Sequence, residues 1–440
     1  MTASAFVAIG LPTAAYAETD QVPVDLAGGT VVSTTFRYGP LNDIDSTAQR
    51  GARLDRGVTL EALRQEDRDS TARYRSNYDV SGATRSQAGW TPPPFEYDYI
   101  ETVDECEDHP ESGSAAGWIK NHYAFCRIMK GERVDRVCLL GRCFNLTSSF
   151  HVNILGFGSE RDRKVRVVTT VSDIRTSSPA LQVGTVVRIG NPCASLGTTD
   201  NCVLDRNTPA SVEKTLAEWR VQSFFSTGYA SVAPPEGDPT NPNRLGYMDF
   251  WSEASAFVPE LPNSRPVTIS SPRQKVRYDT VRYLSQNGFN GAIFSNVRAV
   301  MPYPVDRPEF TAMTQEAAHI DFAQTQPGST IPAKAGKVIP GALDGQPLTR
   351  WYFNNFDQNR AEARKACVAE WGPDYAQGGT LQCDEYPFNA THQGAARGDG
   401  NFSVRVIPKD DNEAGGAWLG AWYSYDRILD GDAFHVDPTP

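Results

Sequence analysis

Glycine (36 residues) and proline (30) interrupt this chain throughout, which argues for a loop-rich, β-leaning protein rather than a helical bundle. At 440 residues and 40% hydrophobic content it is long enough for two or three domains with real cores. The formal net charge of −11 argues against stoichiometric coating of nucleic acid, because wholesale phosphate neutralisation needs a basic face. It leaves room for an enzyme that grips a few phosphates through a metal and a local arginine cluster.

The N-terminus reads as the tail of a secretory signal. Ala5 to Leu11 is apolar and uncharged, and Ala15-Tyr16-Ala17 offers a small-x-small cleavage site, although a basic n-region is missing. No later stretch approaches the ~18 apolar residues of a membrane span, so no stable membrane association is expected. The eight cysteines agree with export, and none forms a C-x-x-C pair, which weakens a zinc or redox reading. Neighbours in sequence are the natural partners for disulfides, with Cys367–Cys383 inside the last unit.

Five segments follow from composition and pattern: a signal peptide over 1–17, a flexible or pro-segment over 18–90, a β-rich middle domain over 91–310, a linker over 311–337, and a C-terminal unit over 338–440. In the polar second segment, Thr59 to Arg64 is the one candidate helix. The middle domain begins after Pro92-Pro93-Pro94 and holds six cysteines. Its β-branched runs (Val165–Val171, Leu181–Ile189, Val267–Ser270) predict a sandwich or open sheet system, with one helix over Ser211–Arg220. Its His109, His122 and His151 lack partners at ligand spacing and read as surface or core-edge residues. Pro, Gly, Ala and Gln dominate the linker. The last unit reads as α, β, β, α, β: a helix over Asn359–Trp371, strands over Thr380–Phe388 and Phe402–Pro408, a helix capped by Asp410 or Asp411 and running to Tyr425, and a strand over Ala433–Val436.

That order presents Cys383-Asp384-Glu385-Tyr386-Pro387-Phe388 on one strand and Asn412 at the start of the facing helix. Phosphodiester hydrolysis needs a base to deprotonate water and a cation to neutralise charge on phosphate. A carboxylate pair on a strand end can offer one group to each task, and a neutral Asn completes a ligand shell without repelling DNA. The helix N-terminus favours anions, and Gly415-Gly416 would let a bulky substrate approach the backbone. His392, Arg397, Arg405 and Glu413 are nearby candidates for substrate or metal contact. Each piece has a bland alternative: a solvated turn for Asp-Glu, a simple N-cap for Asp411, an exposed strand face for Arg405, and a structural role for His435.

Together, the Cys383–Phe388 run, the Phe402-Ser403-Val404-Arg405-Val406 strand, Asp411-Asn412 leading through Gly415-Gly416 and Trp418 to Gly420, and the closing Arg427–Phe434 stretch resemble the NucA/NucB family of secreted bacterial deoxyribonucleases. The resemblance covers roughly the last hundred residues. It implies a small α+β nuclease domain with a ββα-type metal active site and little sequence preference. Carried over by position, Asp384 would be the general base, with Glu385 and Asn412 as ligands of Mg²⁺ or Mn²⁺; the roles of Asp384 and Glu385 are exchangeable at this level. Glu413 departs from the family, which often places a basic residue there.

The expectation is therefore a secreted, disulfide-stabilised DNase whose substrate is DNA and whose protein partners are unknown. Two rivals stand beside it: a non-enzymatic binding protein carrying a degenerate nuclease fold, and a ribonuclease on the same scaffold. No Gly-x-Ser-x-Gly elbow or Ser/His/Asp spacing supports a hydrolase in the middle domain.

Overall fold

In a computed structural model of the chain, the described residues are 17–26, 29–44, 59–69, 99–197, 199–259, 266–284, 289–303, 312–353 and 357–438. Residues 1–16, which hold nearly all of the expected signal peptide, lie outside them. No described helix is long and apolar enough to cross a membrane.

The β-rich expectation holds. An eight-stranded sheet orders Ala17–Leu26, Gly29–Pro40, Ala124–Leu139, Arg142–Phe157, Lys164–Thr176, Phe224–Ala230 and Val203–Leu204, with Trp118–Asn121 pairing onto the third of these. Two four-stranded sheets share its core, in which Phe125, Phe150, Trp219, Tyr229, Phe250 and Phe294 are buried together. Alternation makes the long strands amphipathic: from Lys164 to Ile174 buried residues recur at nearly every second position. Two local expectations change. Ser211–Thr215 is a strand, and only Leu216–Val221 is helical, started by a capping box between Thr215 and Glu218. Leu181–Ile189 divides into a helix over Pro179–Gly184 and a strand over Val186–Gly190, because Ser178-Pro179 starts a turn before the β-branched run begins.

The segment read as a flexible spacer contributes order. Gly29–Pro40 pairs along Ala124–Leu139, and a helix over Leu60–Asp69 buries Leu63 against Leu245, Tyr247, Val281 and Leu429. Asp67 on that helix meets Lys275 Nζ at 2.7 Å and accepts from Tyr247 Oη at 2.8 Å. A polar sequence concealed this role, because two leucines and a few charged side chains anchor the helix.

The C-terminal unit runs β1 (Val300–Pro302), α1 (Thr314–Thr325), β2 (Leu348–Thr349), α2 (Asp357–Trp371), β3 (Leu381–Tyr386), β4 (Ser403–Pro408), α3 (Lys409–Tyr425) and β5 (Ala433–Asp437). Strand β5 pairs parallel to β1 and antiparallel to β2, while β3 and β4 form an antiparallel pair that leads straight into α3. Its core gathers Tyr303, Ile320, Tyr386, Phe388, Trp418 and Trp422. The stretch expected as a linker thus carries α1, whose Ala317, Ile320 and Ala323 are buried in this core. Its small, alanine-rich apolar side resembled linker composition because close packing against α3 requires small residues. Cys367 and Cys383 are bonded, tying α2 to β3, and the other six cysteines pair as Cys106–Cys126, Cys138–Cys143 and Cys193–Cys202.

Buried charge fastens this unit to the β-rich body. Arg427, fully buried after α3, donates from Nε to Asp279 Oδ2 at 2.9 Å and from Nη1 to the Glu160 carbonyl at 3.0 Å. Arg277 in the body donates to Asp432 at 2.8 Å and to the Arg427 carbonyl at 2.8 Å. A Cβ at Gly291 would lie 1.9 Å from Arg427 Nε, so only glycine admits the guanidinium there. Arg427→Met should destabilise the protein by about 3–5 kcal/mol, the usual cost of leaving a buried charge unpaired, and the Arg427→Met/Asp279→Leu double variant should recover most of it. Denaturant midpoints of the oxidised proteins check this; equal losses in the single and double variants would contradict it.

Candidate active site

A cavity of about 670 Å³ opens where β3, α2 and α3 converge on the N-terminal half of α1. Asp384, Glu385, Asn412 and Glu316 all line it. Strand β3 delivers the first two. Cys383 and Tyr386 beside them are buried, so the strand is held from both ends and its carboxylates are presented from a rigid element.

Asp384 is buried and tightly held. Its Oδ2 lies 2.6 Å from His319 Nδ1, and His319 Nε2 lies 2.7 Å from Ser403 Oγ on β4. The carboxylate, imidazole and hydroxyl form one chain from β3 through α1 to β4. With the Nδ1 proton donated to Asp384, Nε2 accepts from Ser403. This fixes the orientation of Asp384 in the cavity wall.

Glu316, one turn before His319, is also buried. Its Oε1 accepts from Tyr303 Oη at 3.0 Å, and its Oε2 has no protein partner. Burial, then the charge of Asp384, raise its pKa well above the ordinary glutamate value, and Asp411 and Glu385 add to this. Glu385 is partly buried and its pKa is pushed up to about 7, first by burial and then by Asp384, with Arg360 and Arg364 opposing. Burial also raises Asp411. Glu316 and Glu385 are thus both made harder to ionise by the carboxylates around them.

Positive charge stands beside them. Arg360 and Arg364, one turn apart on α2, and Lys409 at the start of α3 line the same cavity. An acidic chain therefore assembles a local cationic rim, which its net charge concealed.

Several sequence-derived candidates sit elsewhere. Asp411 does not cap its own helix: α3 begins after Pro408 with no side-chain cap. Its two oxygens instead accept from the backbone N–H groups of Gln315 (3.0 Å) and Glu316 (2.9 Å), capping α1. Gly415 makes room for Glu316 and not for substrate, since a Cβ there would overlap the carboxylate at 1.4 Å. Gly416 borders the cavity with open space around it. Asn412 is fixed by donating from Nδ2 to Gln382 Oε1 at 2.7 Å. Glu413 lines the cavity near Lys409 (3.8 Å) and accepts from Gln382 at 3.1 Å. His392 stacks on Trp351 with ring centroids 5.0 Å apart, and Arg405 lies over the Phe322 ring at 5.3 Å; neither lines this cavity. Arg397 pairs with Asp399 at 3.1 Å. His435 donates from Nδ1 to the Ala342 carbonyl at 2.8 Å, a structural contact. In the body, His122 packs against Asp426, and burial lowers its pKa to about 3, so it is neutral.

Glu316, His319, Arg360 and Arg364 escaped the sequence reading. The available signal was Glu316-Ala317-Ala318-His319, two ionisable groups at i and i+3, the spacing that puts both on one face of a helix.

No curated protein and no solved structure matches the chain. The four disulfides fit an extracellular, oxidising setting. Residues 345–437 match the family model described as Deoxyribonuclease NucA/NucB, and the C-terminal region of this chain is a domain of that family.

Proposed function

We propose that the chain is a secreted, metal-dependent endonuclease that hydrolyses phosphodiester bonds of DNA with little sequence preference. The observation that supports this most is one cavity lined by Asp384, Glu385, Glu316 and Asn412 together with Arg360, Arg364 and Lys409. A phosphodiester needs both kinds of group: a base and oxygen ligands for the attacking water, and cations for the phosphate oxygens.

The donor set fits a hard divalent cation such as Mg²⁺ or Mn²⁺. All donors are oxygens, and Glu316 Oε2 is buried without a partner. Among the described residues no group of three or more His, Cys, Asp or Glu is arranged to hold an ion. A Mg²⁺ ion commonly keeps several waters and takes one or two carboxylates plus substrate phosphate. Glu385 and Asn412 would hold it, with Glu316 beside them. When bound, it would supply Lewis-acid stabilisation of the phosphate and the departing oxygen. Asp384 takes the proton from water through the oxygen not bound by His319. His319 and Ser403 hold that carboxylate in place, so no reorientation is needed as charge develops. Arg360 and Arg364 neutralise the strand's phosphates and Lys409 holds its flank. The Asp384 and Glu385 roles divide by environment: Asp384 has a dedicated imidazole donor, whereas Glu385 faces the arginines.

With supercoiled plasmid and Mg²⁺ or Mn²⁺, the wild-type protein should nick and then linearise the DNA. EDTA should abolish this, and Asp384→Ala should lower the rate by about 100-fold or more. Metal-independent cleavage confined to RNA would favour the ribonuclease reading.

Glu385 gives a test independent of turnover. Its pKa is raised above the unfolded value, so the stability linked to its protonated form is present below about pH 4.5 and lost as pH rises through about 7. In EDTA, Glu385→Gln should therefore gain thermal stability relative to wild type between pH 5 and pH 8. Parallel melting curves across that range would contradict the assignment.

A further inference from the structure

A second cavity, about 470 Å³, opens at the seam between the β-rich body and the nuclease unit. The body supplies Tyr283, Phe289, Asn290 and Arg244, and the nuclease unit supplies Phe353. Phe289 and Phe353 are 58% and 47% exposed, large for aromatic rings that border a concave site, so ring surface is open to a ligand. The wall behind them is rigid. Tyr283 donates to Asn243 Oδ1 at 2.6 Å, stacks on Tyr352 at 3.9 Å and meets Phe353 edge-on at 5.5 Å. The backbone N–H of Tyr352 donates to Asp430 Oδ1 at 2.6 Å, which pins the segment from the other side. The charged groups at the rim are Arg244, Arg282 and Glu236, the last two paired at 3.0 Å, which leaves a net positive charge.

A short stretch of backbone separates this cavity from the first. Trp351 donates its backbone N–H to the Ala390 carbonyl at 2.9 Å, and Asn389, next to Ala390, lines the Asp384 cavity. From Phe353 through Trp351 to Asn389 the backbone path is on the order of 15 Å, the reach of a few nucleotides. Along it lies the Trp351–His392 stack. Open aromatic rings interleaved with positive charge are the means by which proteins take single-stranded nucleic acid without reading its sequence, since every base has a π-face. A duplex keeps its bases stacked on each other and cannot offer one to a concave pocket.

We propose that the Phe289–Phe353 cavity is a base-stacking subsite for single-stranded DNA, taking a base a few nucleotides from the phosphodiester held at Asp384. This rests on the nuclease reading for the identity of the strand, but its test does not need cleavage. In EDTA, fluorescence anisotropy would compare a labelled single-stranded dodecamer, a dinucleotide and a duplex of the same sequence. Phe353→Ala and Phe289→Ala should each weaken dodecamer binding about tenfold, with dinucleotide and duplex binding unchanged, and Phe353→Tyr should restore it. Both rings are exposed, so unaltered melting temperatures are expected in all three variants. Unchanged dodecamer affinity in both alanine variants would overturn the subsite, as would a loss shared equally by the duplex. Wild-type protein that leaves plasmid intact in Mg²⁺, while the variants still lose dodecamer binding, would remove the hydrolysis reading and leave the subsite standing. Nicking with unaltered affinities would do the reverse.

Discussion

The nuclease unit depends on a buried arginine that belongs to it by sequence and to the body by packing. Arg427 follows α3, yet its guanidinium is spent on Asp279 and on the Glu160 carbonyl, and it lies where only Gly291 leaves space. Arg277 returns the arrangement by reaching across to Asp432. Pairs this deeply buried are held by geometry more than by net energy, because desolvation offsets most of their attraction. Their effect is to fix one orientation of the unit on the body. Two open aromatic rings, Phe289 and Phe353, border one cavity only in that orientation.

The same dependence appears inside the Asp384 cavity. The family-matched segment begins at residue 345, but Glu316 and His319 come from α1, upstream of it. Asp411 caps that helix, and Gly415 makes room for its glutamate. Residues within the family segment thus have the job of receiving a helix outside it. A cut placed at residue 345 would leave Asp384 without its imidazole and Asp411 without the N–H groups it caps.

Much of the C-terminal unit was legible, and for a physical reason. Helices α2 and α3 and strands β3 and β4 carry their own local signals: alanine-rich apolar faces, a Gly-Pro stop after Trp371 and β-branched residues in β4. Asp384, Glu385 and Asn412 were legible because they lie in those elements. What stayed hidden was set by contacts distant in sequence. Asp411 looks like the cap of its own helix and serves another, about 95 residues upstream by the separation of its hydrogen-bond partners. Helix α1 looks like a linker because alanines make up much of its buried side. Arg360 and Arg364 look like solvated helix charges until the fold turns the β3 carboxylates toward the same cavity.

The carboxylate crowd is the feature that most needs explanation, since it opposes folding. Glu316 and Glu385 both resist ionisation, and Asp384 is a cause in each case. A stable core would be served better by apolar residues of the same volume. Groups held at such a cost are characteristic of sites that gain a counter-charge during use. A bound divalent cation would offset the repulsion among these carboxylates and favour their charged forms. The tension is local. His319 and Ser403 restrain Asp384, Tyr303 restrains Glu316, and α2 sets two arginines where phosphate would arrive. The site is therefore rigid in position and frustrated in charge.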